Sequence, residues 1–169
     1  MIIASFASSK VSKFLMVSYL SNRRKKQDKP ITDEQWNSIA NAKENEIPIY
    51  AYKLEAEEFL DSMAAWRRRQ THLPPGFQSI QVTTGRLSDM QGTGAVALHP
   101  GTEGVEGEVS RQDVAGVIVQ LLARSDTDGC YCVLGGEDGI ESAVDKAVRG
   151  QQGPAQGDVY RNVVGGFIE

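Results

Sequence analysis

The sequence predicts an α/β layered fold with a mostly parallel sheet and flanking helices. Short apolar runs of strand composition alternate along the chain with amphipathic helical segments, the pattern of a parallel sheet covered by helices. The first of these runs is short, mainly apolar and rich in strand formers, as suits a strand buried on both faces. The 169 residues, 40% of them apolar, suit one compact domain with a core of its own.

"KFLMVSYL" (13–20) is the first strand, buried and parallel, and a loop of basic and polar residues follows it. "ITDEQWNSIANA" begins a helix, with Thr32 or Asp33 as its N-cap. Pro48 restarts a helix that runs to about Arg69. Its apolar stripe is Ile49, Tyr52, Ala56, Phe59, Met63 and Trp66, a single core-facing face. "THLPPG" (71–76) is a turn, and "FQSIQVTTG" (77–85) alternates as a second strand. "AVALH" and "GVEGEV" are expected to form a small β-hairpin around Pro100-Gly101.

"SRQDVAGVIVQLLAR" (110–124) is the clearest helix. Ser110 caps it, Asp113 completes an S-x-x-D box, and Val114, Val117, Ile118, Leu121 and Leu122 form its buried face. "GCYCVLGG" (129–136) is a third strand, and "GIESAVDKAVRG" (139–150) a final helix with Gly150 as its stop signal. The domain is expected to span 1–150, leaving 151–169 as a linker-like tail with a short docked segment in "VYRNVVGGFIE".

Composition narrows the function classes. No apolar run approaches the ~18 residues needed to cross a bilayer, and "MIIASFASSK" lacks the basic start of a signal peptide. Cys130 and Cys132 form a lone C-x-C, read as two small buried hydrophobes, and no metal site is expected. A reducing, cytoplasmic setting fits them. Residues 1–75 carry 12 Lys and Arg against 9 Asp and Glu, whereas residues 76–169 carry 6 against 13. The basic clusters "RRKKQDK" (23–29) and "RRR" (67–69) come without zinc-finger spacing, RNP-type aromatics or a basic helical repeat. They read as a solvated loop and a helix end where cations suit the dipole, not as a nucleic-acid surface.

"GTEGVEG" (101–107) has the glycine spacing of a dinucleotide phosphate loop, but its position argues against that role. Such a loop leaves the first strand and opens a helix. Here it follows His99-Pro100 late in the chain, and Glu103, Glu106 and Glu108 would oppose a phosphate. His72 and His99 sit beside prolines in turns, with no triad or metal spacing around them.

"KVSKFLMVSYLS", "YAYKLEAEEFL", "FQSIQVTTGRLSD" and above all "GEVSRQDVAGVIVQLLARSDTDGCYCVLGGEDGIESAV" resemble the NAD(P)-binding atypical short-chain dehydrogenase/reductases, more narrowly their NmrA-like branch. The matching segments cover nearly all of residues 10–148 in family order. The resemblance implies a partial Rossmann-like fold, the C-terminal half of a doubly wound sheet. The family's first four strands and its Gly-rich dinucleotide fingerprint have no counterpart in this sequence.

By this resemblance Lys53 matches the helix lysine that bonds the nicotinamide ribose and lowers the pKa of a neighbouring tyrosine. The family tyrosine lies four residues earlier, where this chain has Ile49. Tyr50, three residues before Lys53, neighbours it on the helix surface but points about 100° away from Ile49. It is either an acid/base partner of Lys53 or a structural tyrosine beside a surface lysine. Tyr52 lies on the expected core stripe. Ser18 and Ser21 match the region of the family's Ser/Thr hydrogen-bond donor at the carboxyl end of a parallel strand, or else satisfy loop backbone groups. Many relatives have Arg-Pro-Gly where Thr83-Thr84-Gly85 stand, and Arg86 is the residue that could compensate.

Two functions follow from the resemblance. One is an NAD(P)-dependent reductase, epimerase or related tailoring enzyme acting on a small carbonyl or polyketide-like metabolite. The other is a cofactor-free protein that reuses the cleft for binding, regulation or isomerisation. The absent half has a third explanation, that the sequence is a piece of a longer protein. A half-sheet exposes an apolar strand edge, so a second copy or a partner chain is expected to cover it.

Overall fold

The computed structural model describes residues 10–19, 47–101 and 107–150, with residues 19, 47–55 and 58 described as backbone alone. Their elements run β1 (Lys13–Tyr19), α1 (Ile47–Arg69), β2 (Gln78–Thr84), β3 (Arg86–Ser88), β4 (Ala95–Pro100), β5 (Glu108–Ser110), α2 (Arg111–Ala123), β6 (Gly129–Gly135), β7 (Asp138–Gly139) and α3 (Ile140–Gly150). The expected helix start at Thr32 or Asp33, the basic cluster at 23–29, and the tail 151–169 lie outside the described residues.

The main sheet has the order β1-β2-β6-β4-β7. β1 pairs parallel with β2, from Lys13 opposite Gln78 to Tyr19 opposite Thr84, and β2 pairs parallel with β6. β4 and β7 add antiparallel strands on the far side. This is the expected α/β architecture, a mostly parallel Rossmann-like sheet with helices on both faces. β2 is buried at all seven residues, as a central strand covered on both sides must be. Among the described residues β1 is an outer strand, and its Val17 is 47% exposed.

Two apolar layers hold the sheet. On one face Ile80, Val82, Tyr131 and Val133 pack with Val96 and Leu98 of β4, Val114, Val117 and Leu121 of α2, and Ala143, Val144 and Ala147 of α3. Fully burying a side chain of this size contributes about 1.5–3 kcal/mol, so this cluster dominates stability. The smaller layer joins Leu60 and Ala64 of α1 to Phe77, with Phe14 and Met16 of β1 packed against them. Cys130 and Cys132 are buried on β6, in keeping with the apolar role expected of them.

Three expectations are corrected. The hairpin does not form, because β4 pairs with β6 and β7 while β5 pairs in parallel with β3 in a separate two-stranded sheet. Val96 and Leu98 alternate on β4, and only a place beside β6 takes both into the large core. His99 therefore stands near the end of a strand, opposite Cys132, instead of in a turn.

The second correction concerns α1. Among its described side chains the buried ones are Glu57, Leu60, Ala64 and Arg67; of the expected stripe, Met63 and Trp66 are partly buried against Leu60, Ala64 and Phe77, while Phe59 is 39% exposed. The core-facing line is turned by about 90° from the apolar stripe read in the sequence. Third, Leu122 is 42% exposed and Asp113 takes a place on the buried face of α2.

The capping of α2 is as expected. Ser110 accepts a hydrogen bond from the Asp113 backbone N–H at 2.9 Å. The last glycine of "GTEGVEG" also has a structural use: the Arg86 N–H donates to the Gly107 carbonyl at 2.9 Å. Gly85 lies so close that a Cβ there would come within 2.2 Å of that carbonyl oxygen.

Candidate functional site at the carboxyl edge of the sheet

The two ends of the parallel strands differ in how their polar groups are used. At the amino end Lys13 donates to the carbonyls of Leu122 (2.6 Å) and Arg124, closing the C-terminus of α2. Thr127 donates to the Leu121 carbonyl at 3.0 Å, and Gln78 donates to Thr127 at 3.0 Å. Arg68 grips Asp128 through both carboxylate oxygens at 2.7 Å. These groups are consumed by structure.

At the carboxyl end Ser18 of β1 donates to Oε1 of Glu57 on α1. Both residues are buried, Glu57 fully. Its other carboxylate oxygen, Oε2, has no hydrogen-bond partner among the described residues. A buried carboxylate oxygen without a donor is costly, but it is not peculiar to this corner: the buried Ser79 hydroxyl near the amino end of β2 is likewise without a hydrogen-bond partner among the described residues.

The direction of α1 places the rest. Its C-terminal Arg67 donates to the Val11 carbonyl at 3.0 Å before the start of β1, while Glu57 meets Ser18 near the strand's end. The helix therefore runs antiparallel to β1. Position 53 lies about 6 Å beyond Glu57 along the axis, toward and past the end of the strand. By helical register it falls at the centre of the line marked by Glu57, Leu60, Ala64 and Arg67. Ile49 and Tyr50 flank that line on either side, Tyr50 by about 60°. The side chains of Tyr50 and Lys53, and the whole of Ser21, lie outside the described residues. Ser18 is described, and its hydroxyl is turned toward α1 and committed to Glu57.

Other candidates resolve into structure. Arg86 pairs with Glu108 across β3 and β5, its Nε lying 2.9 Å from Oε2. Thr83 is buried and donates to the Tyr131 carbonyl at 3.3 Å. His72 is exposed in its turn. Arg67 is buried and stacks over the Phe77 ring at 5.0 Å, so one member of the basic "RRR" cluster is a core residue.

Asp113 does more than complete the box. Its carboxylate accepts from the Ser110 hydroxyl at 2.8 Å and from the N–H groups of Thr93 (3.0 Å) and Gly94 (2.8 Å), pinning the loop before β4. Burial pushes this carboxyl up, but the hydrogen bonds from Ser110, Gly94 and Thr93 outweigh it and hold Asp113 below the ordinary 3.8. The Tyr131 hydroxyl is pushed up to about 12, chiefly by burial.

Sequence reasoning missed Glu57, Arg67 and the loop-holding role of Asp113. For Glu57 a signal existed: "KLEAEEFL" puts it one turn after Lys53 and in line with Leu60. Among the described residues no cluster of His, Cys, Asp and Glu is arranged to hold a metal. No helix among them is long and apolar enough to cross a membrane.

No family model matches the sequence, and a search of curated proteins finds no match. Solved structures do match. The oxidoreductase ylbE from Lactococcus lactis superposes over 83% of this chain and 53% of its own, with a TM-score of 0.54 and 16% identity. A putative NAD-dependent epimerase/dehydratase from Bacillus halodurans superposes over 85% of this chain and 57% of its own, with a TM-score of 0.51 and 21% identity. The fold is thus shared with a structural class of oxidoreductases and epimerase/dehydratases. This chain spans little more than half the length of either neighbour.

Proposed function

We propose that the carboxyl edge of this sheet is the substrate side of an NAD(P)-dependent oxidoreductase or epimerase site of the short-chain dehydrogenase/reductase type, acting on a small carbonyl or polyketide-like metabolite. The observation that supports it most is the register of α1. The rotation of the helix puts position 53 at the centre of its sheet-facing line, past the end of β1 and one turn from the buried Ser18–Glu57 pair.

In this reading Lys53 holds the nicotinamide ribose, and the cofactor when bound supplies or accepts the hydride. Tyr50 moves the proton to or from the substrate oxygen, its hydroxyl acidified by the neighbouring ammonium. Ser18 fixes Glu57 on the helix instead of touching substrate, and Ser21 is kept as the candidate hydrogen-bond donor to the substrate. In this reading Lys53, Tyr50 and Ser21 serve the nicotinamide end of the cofactor. Gly85, Arg86 and Gly107 make a strand-to-strand contact where the glycine spacing suggested a phosphate loop.

The edge of β1, unpaired among the described residues and with Val17 exposed, supports a homo-oligomer or partner chain that covers it. A second reading, a cofactor-free binding protein that reuses the cleft, is favoured by Ile49 at the family's tyrosine position. Titration with NADPH and NADH, followed by nicotinamide fluorescence, separates the two. Saturable binding supports the oxidoreductase reading, and no binding at millimolar cofactor favours the second.

A further inference from the structure

α2 and α3 lie side by side on one face of the sheet, yet their outer surfaces differ in kind. α3 carries Glu141, Lys146 and Arg149 outward, as a solvated helix does. α2 does not. Between Arg111 and Arg124 its one charged residue is Asp113, which is buried. The outward positions are Gln112, Ala115, Val119 and Leu122, all of them exposed, Val119 at 64% and Leu122 at 42%. Their spacing of 3, 4 and 3 residues forms one straight seam, the pattern of a helix that packs against another helix.

The surface beside the seam is apolar as well. Lys13 donates to the carbonyls of Leu122 and Arg124, so β1 begins next to the C-terminus of α2. Leu15 packs against the core beneath α2, and Val17, two residues on, faces the same side and is 47% exposed. Three of the large apolar side chains exposed among the described residues therefore share this side of the molecule.

We propose that a second copy of this chain docks here, the two α2 helices crossing antiparallel on a two-fold axis at Val119. The seam is its own complement in that register, as a two-fold contact requires. Val119 meets the partner's Val119, and Leu122 lies against the partner's Ala115, large against small. At the ends, Arg111 and Gln112 lie toward the partner's Asp126, a cation and an amide against an exposed carboxylate. Elsewhere two copies with a net charge of −4 repel, so a charge-free seam is where they can close. This contact is separate from pairing along the edge of β1 and does not depend on the cofactor reading.

Cysteine cross-linking reads the register. Val119→Cys is expected to give a disulfide-linked dimer on mild oxidation, because the two residues meet on the axis. Ala115→Cys lies about 12 Å from its counterpart along the axis of an antiparallel pair and should link at most about a tenth as well. The parent protein, with Cys130 and Cys132 buried, is the control and should not link. In sedimentation equilibrium Val119→Glu should weaken dimerisation by about tenfold or more, since it sets like charges together in an apolar contact. A parent that is monomeric at micromolar concentration overturns the proposal, as does equal linking at positions 115 and 119. Dimerisation lost in Val17→Lys but unchanged in Val119→Glu belongs to the strand edge and overturns it too.

Discussion

Asp113 shows how much one side chain can hold together. It caps its own helix through Ser110 and takes the N–H groups of Thr93 and Gly94, so it ties α2 to the approach of β4. Asp113→Ala removes the acceptor of the buried Ser110 hydroxyl and of the Thr93 and Gly94 N–H groups, and is expected to cost about 1–2 kcal/mol in urea unfolding at pH 7. Its folded pKa lies below 3.8, so its stabilisation is fully present above that value and is lost as pH falls through the folded pKa. The parent and Asp113→Ala should therefore converge in stability between about pH 4 and pH 2. An equal gap at both ends of that range would contradict the assignment. The capping half of this role was legible, since Ser110 and Asp113 lie three residues apart. The loop-holding half was not, because Thr93 and Gly94 reach Asp113 across about 20 residues of chain.

At the scale of elements, α1 is where sequence and structure part. The stripe through Phe59, Met63 and Trp66 is the more apolar line, whereas the buried line contains Glu57 and Arg67. Hydrophobic periodicity selects the first, since it counts a buried charge against a face. The second line wins because Ser18, the Val11 carbonyl and the Phe77 ring take up those charges, and none of them is near in sequence. Leu60→Ala should cost about 2–4 kcal/mol, and Phe59→Ala under about 1 kcal/mol, in parallel chemical melts. The reverse ranking would restore the stripe read from the sequence. β4 and β5 fail as a hairpin for a related reason. Their runs are adjacent in sequence, but Val96 and Leu98 find their core beside β6, more than 30 residues away.

Taken whole, the molecule is a Rossmann-like sheet whose outer parallel strand, among the described residues, has one edge unpaired. The alternation of strands and helices made this class legible, because that signal survives errors in any single element. The position of β1 in the sheet was harder to read, since its composition is that of a strand covered on both faces. We expect the protein at micromolar concentration to scatter light as a dimer or larger, and Val17→Lys to shift it toward monomer. A strictly monomeric parent would remove the edge as an interface between copies.

The central claim is that the N-terminal turns of α1 form the nicotinamide end of a cofactor site at the carboxyl edge. Calorimetric titration of NADPH into the parent protein and into Lys53→Met, each first shown to be folded, tests it most directly. The account predicts saturable binding by the parent and at least tenfold weaker binding by Lys53→Met, about 1.4 kcal/mol. Equal affinities in the two proteins, or no heat of binding from the parent at millimolar NADPH, would contradict it.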